Sequence, residues 1–170
     1  MRSFVDTLAG ARIGETYNQY ADSVLRCSRL VDYLDRKRDA RYLVVGEAPG
    51  YRGARVSGLP FTSERQLTGE GPAEATATIV HRVLAELGVE DDVLLWNVVP
   101  THPGSESSNR QPTRAEVRDA MPFLLELLQG RTPIAVGRLA HHALGGRYVR
   151  HPSHGGSAAF RDGLLLSIRR

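Results

Sequence analysis

Three short stretches of the sequence hold the residue types that chemistry needs. The first reads Gly46-Glu47-Ala48-Pro49-Gly50-Tyr51-Arg52-Gly53 and continues to Gly58-Leu59-Pro60-Phe61-Thr62-Ser63-Glu64. Its glycines let a backbone approach a ligand closely, and Glu47 and Glu64 offer carboxylates. It is not a P-loop, since no Gly-Lys-Ser/Thr closes it, and its glycine spacing is not that of a dinucleotide fingerprint. An ordinary strand-to-helix turn uses the same residue types. The second stretch is Trp96-Asn97-Val98-Val99-Pro100. A carboxamide among apolar residues is costly unless satisfied, and it offers one acceptor and two donors. That set matches the O4 and N3–H edge of a base such as uracil, and equally suits an Asn that closes a turn. The third stretch, His151-Pro152-Ser153-His154-Gly155-Gly156, brings an imidazole able to donate to a carbonyl oxygen or an anionic leaving group. His81, His102, His141 and His142 lack metal-ligand spacing and read as surface or packing residues.

Such groups act only if a scaffold brings them together. Tyr42-Leu43-Val44-Val45, Val93 to Val99 and Pro133 to Val136 are short apolar runs, the pattern of strands buried on both faces. Tyr148-Val149 starts a fourth. Helical spacing runs from Tyr17 to Asp39, with Tyr20, Val24, Cys27, Val31 and Leu34 on one face, and from Ala73 to Leu87, with Ile79, Val80, Val83, Leu84 and Leu87. Thr113 and Glu116 form a capping-box pattern ahead of Val117, Met121, Leu124, Leu125 and Leu128. Arg138 to Leu144 is a short helix, and residues 1–16 are expected to be irregular. Alternating strands and helices predict an α/β fold with a mainly parallel sheet. Two long polar segments, 47–71 and 100–112, leave the C-terminal ends of the first two strands, where open α/β sheets bind ligands. The His151 segment follows the fourth strand, so all three are expected to converge on one sheet edge.

Composition sets the outer bounds. The 170 residues suit one domain, and 41% apolar with 24% charged residues is a globular balance. No apolar run approaches the ~18–20 residues of a membrane span, and Met1-Arg2-Ser3-Phe4-Val5-Asp6 lacks a secretory pattern. A cytoplasmic protein is expected. The single cysteine, Cys27, excludes an internal disulfide and a Cys-ligated zinc or iron–sulfur site, so neither metal nor cofactor is expected. The net charge is +3, and of 22 basic residues only Lys37 is lysine. Arginine's planar fork suits phosphate, although a genome-wide arginine bias gives the same count. The charge permits a nucleic-acid partner without requiring one.

In their order along the chain, Gly46-Glu47-Ala48-Pro49-Gly50 with Phe61, Trp96-Asn97-Val98-Val99-Pro100, and His151-Pro152-Ser153 resemble the motifs of the uracil-DNA glycosylase superfamily. The resemblance runs from about Tyr42 to the C-terminus. It implies a three-layer α/β/α sandwich around a four-stranded, mainly parallel sheet. It also implies a monomer, acting without cofactor, that hydrolyses the N-glycosidic bond of uracil or a related deaminated base after flipping it out of DNA. Carried over, Phe61 stacks on the base, Asn97 reads its Watson–Crick edge, and His151 donates to the pyrimidine oxygen that gains charge. Gly46, Ala48 and Gly50 line the pocket, with backbone amides near Glu47 and Ala48 assisting. Ser57, Ser63 and Ser153, with Arg52, Arg55 and Arg110, are the candidates for DNA phosphates. Departures from the pattern carry their own implications. Ala48 stands where the best-known branch has its water-activating aspartate, so that role is expected of Glu64, with Glu47 second. Gly50 replaces a tyrosine that blocks the methyl of thymine, which implies looser discrimination. The four cysteines of the iron–sulfur branches are missing, and His154-Gly155-Gly156 stands where an apolar wedge is found. Two other readings remain: a DNA-binding protein that kept the pocket without the water activator, and an unrelated α/β enzyme for a free nucleobase or nucleoside.

Overall fold

The apolar runs become a parallel sheet because each strand is covered on both faces. In the computed structural model, which describes residues 1–168, the strands are β1 (Tyr42–Gly46), β2 (Val93–Asn97), β3 (Thr132–Val136) and β4 (Arg147–Val149), in the order β2-β1-β3-β4 with every pairing parallel. Eight helices are described: α1 (Arg2–Gly10), α2 (Val24–Arg36), α3 (Ala54–Ser57), α4 (Glu64–Thr68), α5 (Ala75–Leu87), α6 (Arg114–Leu128), α7 (Arg138–Leu144) and α8 (Ser157–Ile168). Alternate strand residues face opposite layers. Leu43, Val45, Leu94, Trp96 and Ala135 pack with Leu8, Leu30, Leu34, Leu124, Leu127 and Ala140, from α1, α2, α6 and α7. Val44, Val93, Leu95, Ile134, Val136 and Val149 pack with Val80, Val83, Leu84, Phe160 and Leu164, from α5 and α8. The result is the expected three-layer α/β/α sandwich.

The strand order creates the binding edge. From β1 the chain crosses through α5 to β2 on one side, then returns through α6 to β3 on the other side of β1. Loops leaving the C-terminal ends near such a reversal diverge and leave a crevice. β2 is an outer strand, and the Tyr33 hydroxyl, which accepts from Leu95 N–H at 2.8 Å, covers its free edge.

Several local expectations change. Residues 2–10 are not irregular: they form α1, whose Phe4, Val5 and Leu8 are buried, and Phe4 meets Trp96 edge to face at 5.8 Å. Helix α2 begins at Val24, not Tyr17, because Tyr17 N–H donates to His102 O (2.8 Å) and His102 N–H to Tyr17 O (2.9 Å), holding the chain extended. Tyr20 is buried outside the helix, with its hydroxyl on Gly58 O, while Val24 is 88% exposed and Leu30 takes the core position. The segment 47–71 contains α3 and α4, and residues 157–168, to which the sequence pattern assigns no element, form α8.

The capping box at Thr113 forms as its spacing predicts and gains a third member. Glu116 is 2% exposed, accepts from Thr113 N–H at 2.8 Å, and takes both arms of the Arg110 guanidinium at 2.6 and 2.8 Å. Arg110 holds the Glu116 carboxyl down to about 2, against 4.5 ordinarily. A carboxyl whose folded-state value is depressed adds stability above its unfolded value and loses it as the pH falls through the folded one. Arg110→Ala strands a buried carboxylate and is expected to cost about 2–3 kcal/mol, less than a fully buried pair because the guanidinium is partly solvated. In urea unfolding the gap to wild type should be full at pH 7 and close between pH 4.5 and about 2.

Candidate active site

The β1–β2 ladder pairs Gly46 with Asn97. Both residues have the parity of the α5/α8 face, like Val44 and Leu95 below them. Having no Cβ, Gly46 leaves room for two visitors: a Cβ there would lie 2.9 Å from Phe61 Cε2 and 3.2 Å from Asn97 Oδ1. The aromatic ring and the carboxamide therefore meet over the end of β1. Asn97 is 4% exposed, yet its side chain makes no hydrogen bond to the protein among the described residues. Its polar atoms open into a hollow of about 450 Å³, within the range of small-molecule sites. Glu47, Ala48, Gly50, Phe61, Arg110, His151 and Ser153 share that hollow with Asn97.

Phe61 is held there under strain. Its φ is +52°, a left-handed conformation that a bulky residue rarely adopts. The turn around it is fixed from inside the protein. Ser57 Oγ donates to Thr62 O and accepts from Leu59 N–H (3.1 Å), and Thr62 Oγ1 donates to Pro60 O at 3.0 Å while lying 3.0 Å from His81 Nε2. Ser57 is thus fully buried, and so is Ser63, whose N–H and hydroxyl both donate to Gln66 Oε1 at 2.8 Å. Neither serine is open to a DNA phosphate. Both expectations are corrected: these side chains shape the Phe61 turn and the start of α4.

His151 reaches the same hollow from the far side of the sheet. Ser153 N–H points at His151 Nδ1 (3.2 Å) and Ser153 Oγ lies 2.8 Å from it. Nδ1 is therefore an acceptor, and the proton of the neutral ring sits on Nε2. Burial first, and His154 second, hold the imidazole below its ordinary 6.5, so the ring is neutral at neutral pH. A neutral Nε2–H donates a hydrogen bond without bringing a cation.

The carboxylates divide. Glu64, first in expectation, does not line the hollow: its two oxygens each take a 2.9 Å bond from Arg29 at the start of α4. Glu47 does line it, forms no ion pair among the described residues, and is raised above its ordinary 4.5 by burial. A second carboxyl, Glu74, also lines the hollow and is raised by burial. Nothing in the sequence marked Glu74, which stands at a helix start where acidic residues are common. Asn109, likewise unmarked, lines the hollow and accepts from Tyr51 N–H at 2.9 Å, tying the two long loops together. Arg52 is exposed outside the hollow, and Arg55 is engaged by Glu106 at 3.2 Å and by the Tyr17 ring. Among the described residues no group of three or more His, Cys, Asp or Glu is placed to hold a metal ion, and no helix is long and apolar enough to cross a membrane.

The model of the uracil DNA glycosylase superfamily matches residues 33–165, which span the sheet, the hollow and most of α8. The chain belongs to that superfamily. The fold of this superfamily member is similar to the crystal structure of wild-type Pedobacter heparinus SMUG2, with a TM-score of 0.67, 13% identity, and coverage of 98% of this chain and 97% of that one. Comparison with curated proteins returns no match.

The contact over Gly46 is directly testable. A methyl there has to displace the Phe61 ring or the Asn97 carboxamide. Gly46→Ala should cost about 1–3 kcal/mol by overpacking, read in urea unfolding. Its crystal structure should show the ring moved out of the hollow; an unmoved ring with full stability contradicts the close packing described here.

Proposed function

We propose that the protein is a DNA glycosylase that hydrolyses the N-glycosidic bond of uracil, or of a related deaminated base, after the nucleotide has been flipped into the hollow. The observation that carries this reading is Asn97: a buried carboxamide left open to the hollow, beside an aromatic ring and opposite a neutral imidazole. Its polar atoms reach the hollow with no protein partner, and the amide–imide edge of uracil offers them a matching set. Phe61 stacks on the ring, Asn97 takes O4 and N3–H, and His151 Nε2–H donates to O2.

The transition state of such a reaction is oxocarbenium-like: positive charge gathers on the sugar and negative charge on the departing base. Donors aimed at the developing anion count most, because they act where water is excluded. His151 fills that role as a neutral donor. With Glu64 bound to Arg29, Glu47 takes over the positioning of water. The water oxygen bonds to C1′ as the bond from C1′ to the base nitrogen breaks. The base leaves with the bonding electron pair, and Glu47 accepts the proton of the water. Around the mouth, Arg52 and the unused N–H groups of Arg110 serve DNA phosphates, which position the strand without reading it, while the donors of Ser153 are taken up by His151 Nδ1.

Single-turnover cleavage of DNA carrying uracil, hypoxanthine or xanthine, single- and double-stranded, tests this reading; the complete absence of alkali-labile sites on all of these substrates refutes it. Asn97→Ala and His151→Ala should each slow the chemical step by about 2–4 kcal/mol of barrier, roughly 10²–10³-fold. Wild-type rates in both variants mean that the base binds elsewhere.

The pH profile is a separate test. Activity needs Glu47 ionised and His151 neutral. Burial raises Glu47 above 4.5 and lowers His151 below 6.5, so the carboxyl takes up its proton earlier on acidification than an ordinary one and the imidazole later. Single-turnover rates should be flat near neutrality and drop on the acid side. Glu47→Gln removes the carboxyl's share, leaving a slower enzyme whose acid limb reports His151 alone.

A further inference from the structure

The hollow has a wall that the proposed chemistry does not use. Residues 50–53 form a tight turn in which Gly53 N–H and Arg55 N–H both donate to Gly50 O, at 3.1 and 3.3 Å. The Glu74 carboxyl lies in the concave side of this turn. A Cβ at residue 50 would stand 2.8 Å from Glu74 Cδ, and one at residue 53 would stand 2.9 Å from it, with the carboxyl oxygens closer still. Two glycines thus yield their side-chain space to one carboxyl. Glu74 immediately precedes α5 but its side chain does not cap the helix, and it forms no ion pair or side-chain hydrogen bond among the described residues. It is a partly buried polar group held in place by shape and facing the same hollow as Phe61, Asn97 and His151.

We infer that Glu74 determines base specificity by filling the space beside Gly50, so that a pyrimidine with a methyl-sized group on C5 is excluded. This rests on the base orientation proposed above. With O2 at His151 and O4 and N3 at Asn97, every polar edge of uracil is assigned. C5 lies across the ring from C2, so its substituent points away from His151, and in this proposal it meets the turn at Gly50 with Glu74 in it, one of the walls of the hollow. A hydrogen on C5 leaves the carboxyl undisturbed. A methyl needs the volume that the carboxyl occupies and would strip more water from a group that has no protein partner to compensate. The hollow as a whole is larger than a pyrimidine, so such exclusion has to be local. Burial raises the Glu74 carboxyl above its ordinary 4.5, as expected of a group already short of water.

The test uses duplexes carrying uracil, 5-fluorouracil, 5-bromouracil or thymine opposite guanine. Bromine is close to a methyl in size but makes the base a better leaving group than uracil, so its rejection reports space rather than reactivity. The quantity read is the single-turnover rate on 5-bromouracil divided by that on uracil. Wild type should give a ratio about 100-fold below one, near the upper end of what one methyl-sized group contributes. Glu74→Gln keeps the shape and should keep the ratio; Glu74→Ala and Glu74→Ser should raise it by about that factor. 5-Fluorouracil, little larger than uracil at C5, should not separate the variants. Thermal unfolding checks that each variant is folded, and the serine variant serves if the alanine one is not. A wild-type ratio near one overturns the proposal. So does an unchanged ratio in folded Glu74→Ala and Glu74→Ser, or an equal loss on all bases, which makes Glu74 part of the reaction or of the loop's support. Failure of wild type to release uracil is a distinct result: it overturns the uracil pose and this proposal with it, and failure on hypoxanthine and xanthine as well overturns the glycosylase reading.

Discussion

The site depends on how β1 and β2 lie side by side. Their ladder pairs Gly46 with Asn97 and continues past the strands, with Val98 N–H on Gly46 O at 2.9 Å and Val99 N–H on Glu47 O at 3.1 Å. These bonds set where the carboxamide stands and lock the backbone of Glu47 beside it. Parity makes the arrangement intolerant. A slip of one residue turns every side chain to the other face, and would bring Trp96 or Val98 to the place of Asn97. Both are fully buried in the layer of α1 and α2, so the slip would also empty that core. The hydrophobic pattern of β2 therefore fixes a polar group at the sheet edge, although Asn97 itself adds nothing to the core.

The loops are held to this edge by contacts made at long range. The His102 ring lies between Pro49 O (2.7 Å) and Ser105 O (2.8 Å), joining the segment after β1 to the segment after β2. Asn109 repeats the connection through Tyr51 N–H, and Tyr17 pairs with His102 from the N-terminal side. The N-terminal arm, α1 with the extended residues after it, therefore packs under Trp96 and also supports the second loop from outside. Gln19 adds to this by donating to Pro100 O at 2.9 Å from a fully buried position.

What could be read in the sequence follows from the range of the forces involved. The strands, α5, α6 and α7 were visible because periodicity and capping are local: Thr113 and Glu116 declare a helix start three residues apart. The α/β class followed from their alternation. The trio Phe61, Asn97 and His151 came from the ordered resemblance, and its shared hollow depends on β1, β2 and β4 lying in one sheet. What stayed hidden was set by partners distant in the chain. Tyr17 to Ser23 has helical spacing, but the backbone of Tyr17 bonds to His102, about 85 residues away. Arg2 to Gly10 is a short helix whose burial depends on Trp96. Glu64 looked free beside Phe61, and only Arg29, on α2, removes it from the hollow. Glu74 has no local signature, since what defines it is the missing side chains at Gly50 and Gly53.

Among the described residues, two that are not glycine have a left-handed backbone, Phe61 at φ +52° and His154 at φ +53°, and both line the hollow. Each such conformation costs of order 1–3 kcal/mol and persists only where its surroundings over-determine it. At Phe61 the restraint is the buried Ser57–Thr62–His81 network on one side and the glycine at 46 on the other. At His154 it is Ser153, whose hydroxyl lies 3.1 Å from His154 Nδ1 and 2.8 Å from His151 Nδ1. A relaxed turn at either place would swing a ring away from the hollow. The strain falls on two rings that line the hollow, and at Phe61 it is opposed by hydrogen bonds among residues that do not line it. That division accounts for the fully buried Ser57 and Ser63: the polar atoms nearest Phe61 are spent on holding its conformation, which leaves Asn97 with unspent hydrogen-bonding capacity at the same edge.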